Sequence, residues 1–301
     1  MINLSNDCSL EFLVASGALA FDGRGYPWER LRLWNNKLDP SVFDAIVLKT
    51  LTYKPREGNW RWYNSHQVVK WLHNKQAEVI GHVNSIGLTN PGFDAWFKNI
   101  APRLNPKWNF IVSIASADAA ELIAMGQKLN SLPLVAVEFN SSCPNSPSER
   151  SLLDNTEEVV FLARRLKQAT KHPLIIKVSY QQNYLEIVDL LEDYVEAVAI
   201  NSVPWNIVYP GQKSPLPKKF GQGGVSGLAA QPFTWEMVRK ISRQGVVPVI
   251  GTSVWSYADL AKLKSIGARA VAFGSVFIKT LFSSNLPNEY AHKWQKEHGI
   301  F

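Results

Sequence analysis

Leu174-Ile175-Ile176-Lys177-Val178, then an amphipathic stretch over Tyr184–Val195, then Ala197-Val198-Ala199-Ile200-Asn201-Ser202: the reading of residues 174–202 decides the fold. Both flanking runs are compact and apolar throughout. They lack the alternation of a half-exposed strand, which is how parallel strands buried on both faces read. An amphipathic helix between two such runs makes a β–α–β unit, with polar residues where the strands end. The same pattern extends outward in both directions. Candidate strands are Glu11–Ala15, Ala45–Lys49, Phe110–Ile114, Val135–Phe139, Leu174–Val178, Ala197–Ile200, Pro248–Ile250 and Ala270–Phe273. Candidate helices are Ala117–Leu129, Glu157–Lys171, Tyr184–Val195, Phe233–Arg243 and Tyr257–Ser265, with Asn155-Thr156 and Glu158 as a helix start and Gly267 as a stop.

Eight strands at roughly 38 residues per unit point to an α/β protein, a closed (β/α)8 TIM barrel, more than to an open sheet. The open, doubly wound alternative is disfavoured because no Gly-x-Gly-x-x-Gly turn follows the first strand. Two connections are long: Thr50–Asn90 carries aromatic and basic residues, and Ser202–Ala230 is rich in Gly, Pro and Lys. Both follow strand ends, so they are read as inserted loops at the C-terminal face of the barrel, where function resides. No linker, repeat or low-complexity segment divides the chain, and a single domain over residues 1–301 is expected.

Composition bounds the rest. The chain has 301 residues, of which 46% are hydrophobic and 19% charged, enough to build a buried core. Its 18 glycines and 17 prolines follow no triplet period, so a fibrous protein is excluded. The longest apolar runs, such as Ala268–Ile278, fall short of the ~20 residues a membrane span needs. No apolar leader is legible, and two cysteines, Cys8 and Cys143, make no disulfide framework. A cytoplasmic protein without a membrane is expected. The net charge of +7 suits anionic ligands, but the basic residues are dispersed and match no nucleic-acid module. The eleven tryptophans have no account at the level of composition.

Polar residues cluster just after the strands. Lys49 ends the second, Asn140 and Cys143 follow the fourth, Lys177 lies in the fifth, and Asn201-Ser202 follow the sixth. Gly251-Thr252-Ser253 follows the seventh and Gly274-Ser275 the eighth. In a barrel these positions converge on one mouth although they span more than half the chain. A lysine ending an apolar strand is costly unless a partner neutralises it, so Lys49 and Lys177 together suggest an anionic ligand. The two late glycine turns offer backbone N–H groups of the kind a phosphate needs. Cys143 stands in a polar loop, Asn140-Ser141-Ser142-Cys143-Pro144-Asn145, where a thiol can act as a base through its thiolate fraction. Cys8 has no comparable setting. The six histidines show no ligand spacing, and no metal is expected.

Asn140–Asn145, Val83-Asn84-Ser85-Ile86-Gly87-Leu88, Lys54-Pro55-Arg56-Glu57-Gly58-Asn59, Gly223-Gly224-Val225-Ser226-Gly227 and Ala15-Ser16-Gly17 occur in one chain. Together they resemble the class 1 dihydroorotate dehydrogenases, FMN-binding (β/α)8 barrels of de novo pyrimidine biosynthesis. The resemblance runs over essentially the whole chain and implies roles. Cys143 would be the base that takes the C5 proton of (S)-dihydroorotate, and the C6 hydride would pass to flavin N5. Lys49, counted with Cys143 as catalytic, would lie between substrate and flavin. Asn84, Ser85, Gly87, Leu88, Asn140, Asn145, Asn201 and Ser202 would hold the pyrimidine and its carboxylate. Ala15, Ser16, Gly17, Lys49, Thr50 and Asn140 would border the isoalloxazine, and Lys177 would stabilise the reduced flavin. Gly224, Gly227, Gly251, Thr252, Gly274 and Ser275 would hold the FMN phosphate and ribityl chain, and residues 144–155 would form a mobile loop over the substrate. Dihydroorotate and orotate would be the ligands of a homodimer.

Two segments depart from that pattern. The turn after the seventh strand reads Gly251-Thr252-Ser253-Val254-Trp255 where the family carries paired glycines. Pro204-Trp205 follows the sixth strand, where an indole would either narrow the pocket or fold outward. These departures keep three alternatives open: a flavoenzyme of another dihydropyrimidine, a binding paralogue with a defective phosphate site, and a tRNA dihydrouridine synthase. The last is disfavoured by the asparagines at 84, 145 and 201 and by a chain that ends soon after the eighth helix. The electron acceptor is divided too. Arg56–Asn59 and Asn201-Ser202 resemble the fumarate-type branch, whereas Asp22–Trp28 and Asn90-Pro91-Gly92 resemble the NAD-linked branch, which implies a partner subunit carrying FAD and an iron–sulfur cluster. Two cysteines are too few to hold such a cluster in this chain, and the membrane hairpin of the quinone-linked class is not expected.

Overall fold

The computed structural model describes residues 1–142, 151–279 and 285–299. Eight parallel strands form its centre: β1 (Phe12–Val14), β2 (Ala45–Val47), β3 (Phe110–Ala115), β4 (Ala136–Asn140), β5 (Leu174–Val178), β6 (Ala197–Ile200), β7 (Ile250–Gly251) and β8 (Ala270–Phe273). Each of β1 to β5 pairs with its successor, β7 pairs with β8, and β8 returns to β1 through Val271–Phe12. Between β6 and β7 the ring is joined by a parallel bridge of Val198 with Val249, where the Val198 N–H donates to the Pro248 carbonyl at 2.9 Å. The barrel of the sequence reading is therefore observed, each strand within two residues of its expected bounds.

One principal helix follows each strand: α1 (Pro27–Trp34), α2 (Phe93–Asn99), α3 (Ala119–Leu129), α4 (Thr156–Ala169), α5 (Tyr184–Leu190), α6 (Gln231–Gln244), α7 (Ala258–Ser265) and α8 (Leu286–Glu297). Local chemistry starts several of them. Asp118 caps α3 by accepting from the Ala120 N–H at 2.7 Å, and Asn155 caps α4 by accepting from the Glu158 N–H at 3.0 Å. Helix α5 stops at Leu190, short of the expected Val195, because the chain turns there to let the Glu196 N–H reach the Leu174 carbonyl. Helix α1 escaped the sequence reading for a physical reason: it buries Glu29 and Arg32 and exposes Leu31 and Trp34, the inverse of an amphipathic pattern. The buried Arg32 donates to the Phe277 carbonyl at 2.8 Å, joining α1 to the segment after β8.

Strand residues alternate between two cores. Phe12, Val14, Ile46, Val112, Val137, Phe139 and Ile176 pack outward against the helices. Leu13, Ala45, Val47, Ile111, Ala136, Ile175, Ala197 and Ile250 fill the barrel, and an antiparallel hairpin, Ile2–Asn3 with Ser9–Leu10, adds Ile2, Leu4 and Leu10 to that interior core. Further along the same inward faces the residues turn polar: Ser113, Glu138, Asn140 and Lys177. Period-2 alternation puts Ala136, Glu138 and Asn140 on one side of β4, so the chemistry is confined to the C-terminal end.

The two long insertions meet in one antiparallel sheet over that end, in the order Val203–Pro204, Gly224–Ser226, Val79–Asn84, Val69–His73. This cap has its own core of Leu72, Val83, Val203, Trp205, Leu216, Val225 and Ala230. Trp205 thus folds into the cap, with its indole N–H donating to the Gln212 carbonyl at 2.9 Å. Gly81 (φ +147°) and Gly227 (φ +96°) let two cap segments touch, since a Cβ on Gly227 would lie 2.7 Å from the Gly81 Cα. A Cβ on Gly81 would run into the Ser226 carbonyl oxygen. Gly81→Ala should therefore destabilise the protein by about 1–3 kcal/mol. Thermal unfolding checks this, and an unchanged melting temperature would mean that the cap tolerates a looser register.

Candidate functional site at the barrel mouth

The polar ends of the strands are joined by one chain of hydrogen bonds that ends in an ion pair. Lys177 Nζ lies 3.6 Å from Glu138 Oε1, which accepts from Ser113 Oγ at 2.7 Å. Ser113 Oγ is 2.9 Å from Thr50 Oγ1, and Thr50 Oγ1 accepts from Asn140 Nδ2 at 3.1 Å. Asn140 Oδ1 accepts from the Ser142 N–H at 3.3 Å and from Ser142 Oγ at 3.0 Å. Ser142 Oγ and the Ser142 carbonyl accept from Asn201 Nδ2 at 2.9 and 3.1 Å, and Asn201 Oδ1 accepts from the Ser202 N–H at 2.8 Å. Ser16 joins at Thr50, 3.3 Å away, while donating to the Leu48 carbonyl. Residues from six strands or strand ends thus form one structure, in a largely buried setting where an unpaired polar group would cost about 1–3 kcal/mol.

The cap closes on the same cluster. Gly224 is paired with Asn84 and packs so closely on Ser202 that a Cβ there would collide with the serine hydroxyl. Alternation puts Asn84, Gly224, His82 and Ser226 on the face opposite the cap's core residues Val83 and Val225. Beneath lies a hollow lined by Ala15, Ser16, Glu138, Lys177, Thr252 and Ala272, among others. Small side chains at Ala15, Ala199 and Ala272 keep it open.

Of the residues singled out from sequence, Ala15, Ser16, Thr50, Asn84, Asn140, Lys177, Asn201, Ser202, Gly224 and Thr252 come together here. Lys49 donates its backbone N–H to the Ala20 carbonyl at 2.8 Å and sets its ammonium 5.7 Å from the centroid of the Phe21 ring. Gly17 is half-buried in an open turn at φ +89°, and Gly274 and Ser275 are half-buried after β8. Cys143 and Asn145 lie outside the described residues. Other positions make close contacts within the fold. Ser85 is fully buried and donates its hydroxyl to the Phe220 carbonyl at 2.5 Å. Gly87 and Leu88 adopt positive φ beside Asn59, whose N–H donates to the Ile86 carbonyl. Gly251 is buried where a Cβ would lie 2.9 Å from Ala268 and Leu263, and Gly227 serves the cap.

The sequence reading missed Glu138 and Ser113. A carboxylate inside an otherwise apolar strand was the available signal, the same cost that had drawn attention to Lys177. The unusual seventh turn is bound down by side chains. Ser253 holds φ +63°, Asp259 Oδ2 accepts from the N–H groups of Trp255 and Ser256 at 2.8 Å each, and Gln231 Nε2 donates to the Ser253 carbonyl at 2.8 Å. Lys279 Nζ donates to the Trp255 carbonyl at 2.8 Å from below α7's start.

An eight-stranded parallel barrel with a polar mouth under an antiparallel cap defines a (β/α)8-barrel protein whose site is built from strand ends. Within that class the chain belongs to the dihydroorotate dehydrogenase family, whose family model matches residues 31–284. It is 30% identical over 271 residues to a Thermoanaerobacter sp. protein named dihydroorotate dehydrogenase B (NAD(+)), catalytic subunit, covering 87% of this chain and 82% of that one. It is 31% identical over 274 residues to dihydroorotate dehydrogenase A (fumarate) of Lacticaseibacillus paracasei, covering 87% and 86%. Among the described residues no helix is long and apolar enough to cross a membrane.

A half-buried histidine whose Nδ1 is shut off from water and a fully buried glutamate give the fold a pH signature. Burial pushes His82 down to about 4 from 6.5, so its contribution to stability is present above pH 6.5 and is lost as pH falls through 4. Glu29 has the opposite sign. Burial raises it to about 7 from 4.5, partly offset by Arg32, so its contribution is lost as pH rises from 4.5 through 7. The two oppose each other between pH 4.5 and 6.5. His82→Phe should therefore gain in melting temperature relative to the wild type as pH drops from 7 to 4.5. Parallel melting curves across that range would remove His82 from the acid response.

Proposed function

We propose that this chain is an FMN-dependent dihydroorotate dehydrogenase that oxidises (S)-dihydroorotate to orotate. The observation that carries the reading is the joining of Asn84, Asn140, Asn201 and Ser202 with Thr50 and Lys177 at one mouth of a barrel of this family. Amides and hydroxyls in that density match the alternating donors and acceptors of a pyrimidine ring, whose groups would otherwise lose hydrogen bonds on leaving water. Asn84, Asn140, Asn145, Asn201 and Ser202 hold the ring, and Lys49 is the cation for its carboxylate. Cys143 removes the proton at C5 as a thiolate. Ser142, fixed between Asn140 and Asn201, anchors the segment that bears it.

The residues of the mouth fit FMN. The hollow is lined by small side chains at Ala15, Ala199 and Ala272, by the hydroxyls of Ser16 and Thr252, and by a lysine that is 9% exposed, and Thr50 and Asn140 adjoin it through Ser16. FMN bound there supplies the acceptor for the hydride from C6. Lys177 offers a positive charge to the reduced state, and Gly224, Thr252, Gly274 and Ser275 offer the phosphate and ribityl chain a lining. Relatives named for fumarate and for NAD(+) match at nearly equal identity, so similarity does not choose the acceptor. Reoxidation by fumarate of the chain alone would select the fumarate branch, and dependence on an FAD and iron–sulfur partner the other.

The tied-down seventh turn favours a second reading, a barrel that binds a pyrimidine but not FMN. One spectrum separates them. The purified protein, supplied with FMN, is expected to show flavin absorbance that bleaches on anaerobic addition of dihydroorotate. A band that stays would move the substrate to another dihydropyrimidine, and no bound flavin would favour the binding paralogue. Cys143→Ala should retain the flavin and lose on the order of 10²–10⁴ in the rate of bleaching. Bleaching at the wild-type rate would remove the thiol from the mechanism.

A further inference from the structure

We propose that Glu138 is a positioning residue of this mouth: it is the counter-charge of Lys177 and, through Ser113 and Thr50, it orients the amide of Asn140. The inference rests on the flavin reading above and extends it to a residue that contacts neither the pyrimidine nor the proton in transit.

Glu138 is 3% exposed and points into the barrel from the middle of β4. A barrel folds as well with an apolar side chain there, because burying an ion pair rarely adds net stability over a hydrophobic replacement. The acid must therefore be explained by what surrounds it. At 3.6 Å from Lys177 Nζ the contact is longer than a hydrogen bond, so the two interact as charges and the ammonium donors are not spent on the carboxylate. Glu138 and Lys177 line the same hollow. A negative charge at that place lowers the positive potential that Lys177 alone would impose on any electron acceptor held there.

The carboxylate also sets the direction of the chain. It can only accept, so the Ser113 hydroxyl hydrogen must go to Glu138. Ser113 Oγ then accepts from Thr50, and Thr50 Oγ1 is left to accept the Asn140 amide N–H. The amide is thereby held with its oxygen toward Ser142, the residue before Cys143. Glu138 fixes the donor at one end of the chain and the Ser142 N–H fixes the acceptor at the other, so the orientation of the Asn140 amide is set from both sides.

Glu138→Gln keeps the shape and removes the charge, whereas Glu138→Asp keeps the charge and alters the shape. Sulfite titration of the FMN-loaded protein reads the charge, because the sulfite adduct of a flavin is anionic. Glu138→Gln is expected to bind sulfite about fivefold more tightly than the wild type, with a more positive flavin potential. Glu138→Asp is expected to stay within about twofold. A merely steric role predicts the reverse order, and that result, or an unchanged Glu138→Gln, would overturn the proposal. Thermal unfolding of the flavin-free protein decides the matter independently, through a cycle of Glu138→Gln, Lys177→Met and the double variant. The double variant is expected to be more stable than the sum of the single losses, and to recover the fold if Glu138→Gln alone does not fold. Additive losses would overturn the pairing. A wild type that takes up no FMN would defeat the flavin reading while the cycle still answers for Glu138.

Discussion

A parallel sheet buried on both faces has to dispose of its edges, and in this chain the ring of eight strands does so by closing at Val198 and Val249. Every later feature depends on that closure. It gives the strands a common inside, so that alternate residues of each face one another across the barrel. It also gives the inside two ends with different fates. The N-terminal hairpin contributes Ile2, Leu4 and Leu10 to the apolar interior, while the opposite end, where the loops leave the strands, collects the polar residues.

The mouth is polar without being disordered because its groups satisfy one another. Ser113, Glu138, Asn140, Ser142 and Lys177 are each 9% exposed or less, and all have partners at hydrogen-bonding or ion-pair distance. Such networks are rigid when complete and costly when broken. That is the condition a binding site needs, since side chains already held in place lose little entropy when a ligand arrives. The cap contributes in the same way. It brings Asn84 and Gly224 into register from insertions about 140 residues apart and stores its large aromatic, Trp205, in a core of its own.

The seventh turn shows how a departure from a family pattern can be absorbed. Where paired glycines would leave bare backbone, Ser253 takes a left-handed conformation that costs a non-glycine residue roughly 1–2 kcal/mol. Gln231, Thr234, Asp259 and Lys279 surround the turn with hydrogen bonds that offset the strain. The glycine retained at 251 is required by helix packing against Leu263 and Ala268.

By itself the sequence determined the barrel, its eight strands and five of its helices, because burial on both faces leaves an unbroken apolar run and a solvent-facing helix leaves a 3.6-residue period. It also marked Lys177 and the polar residues at the strand ends, since charge and amides are conspicuous beside such runs. Helices α1, α2 and α8 were not legible: α1 turns its charges inward, α2 is seven residues long, and α8 buries Pro287, Asn288 and Ala291 in place of an apolar stripe. Only the tertiary structure decided that the two long insertions form one sheet, that Trp205 leaves the mouth, and that Ser85, Gly227 and Gly251 make close packing contacts. It alone joined Glu138 and Ser113 to Lys177 and Asn140. These are contacts between strands brought together by barrel closure, and no local pattern encodes a partner that the chain meets only after folding.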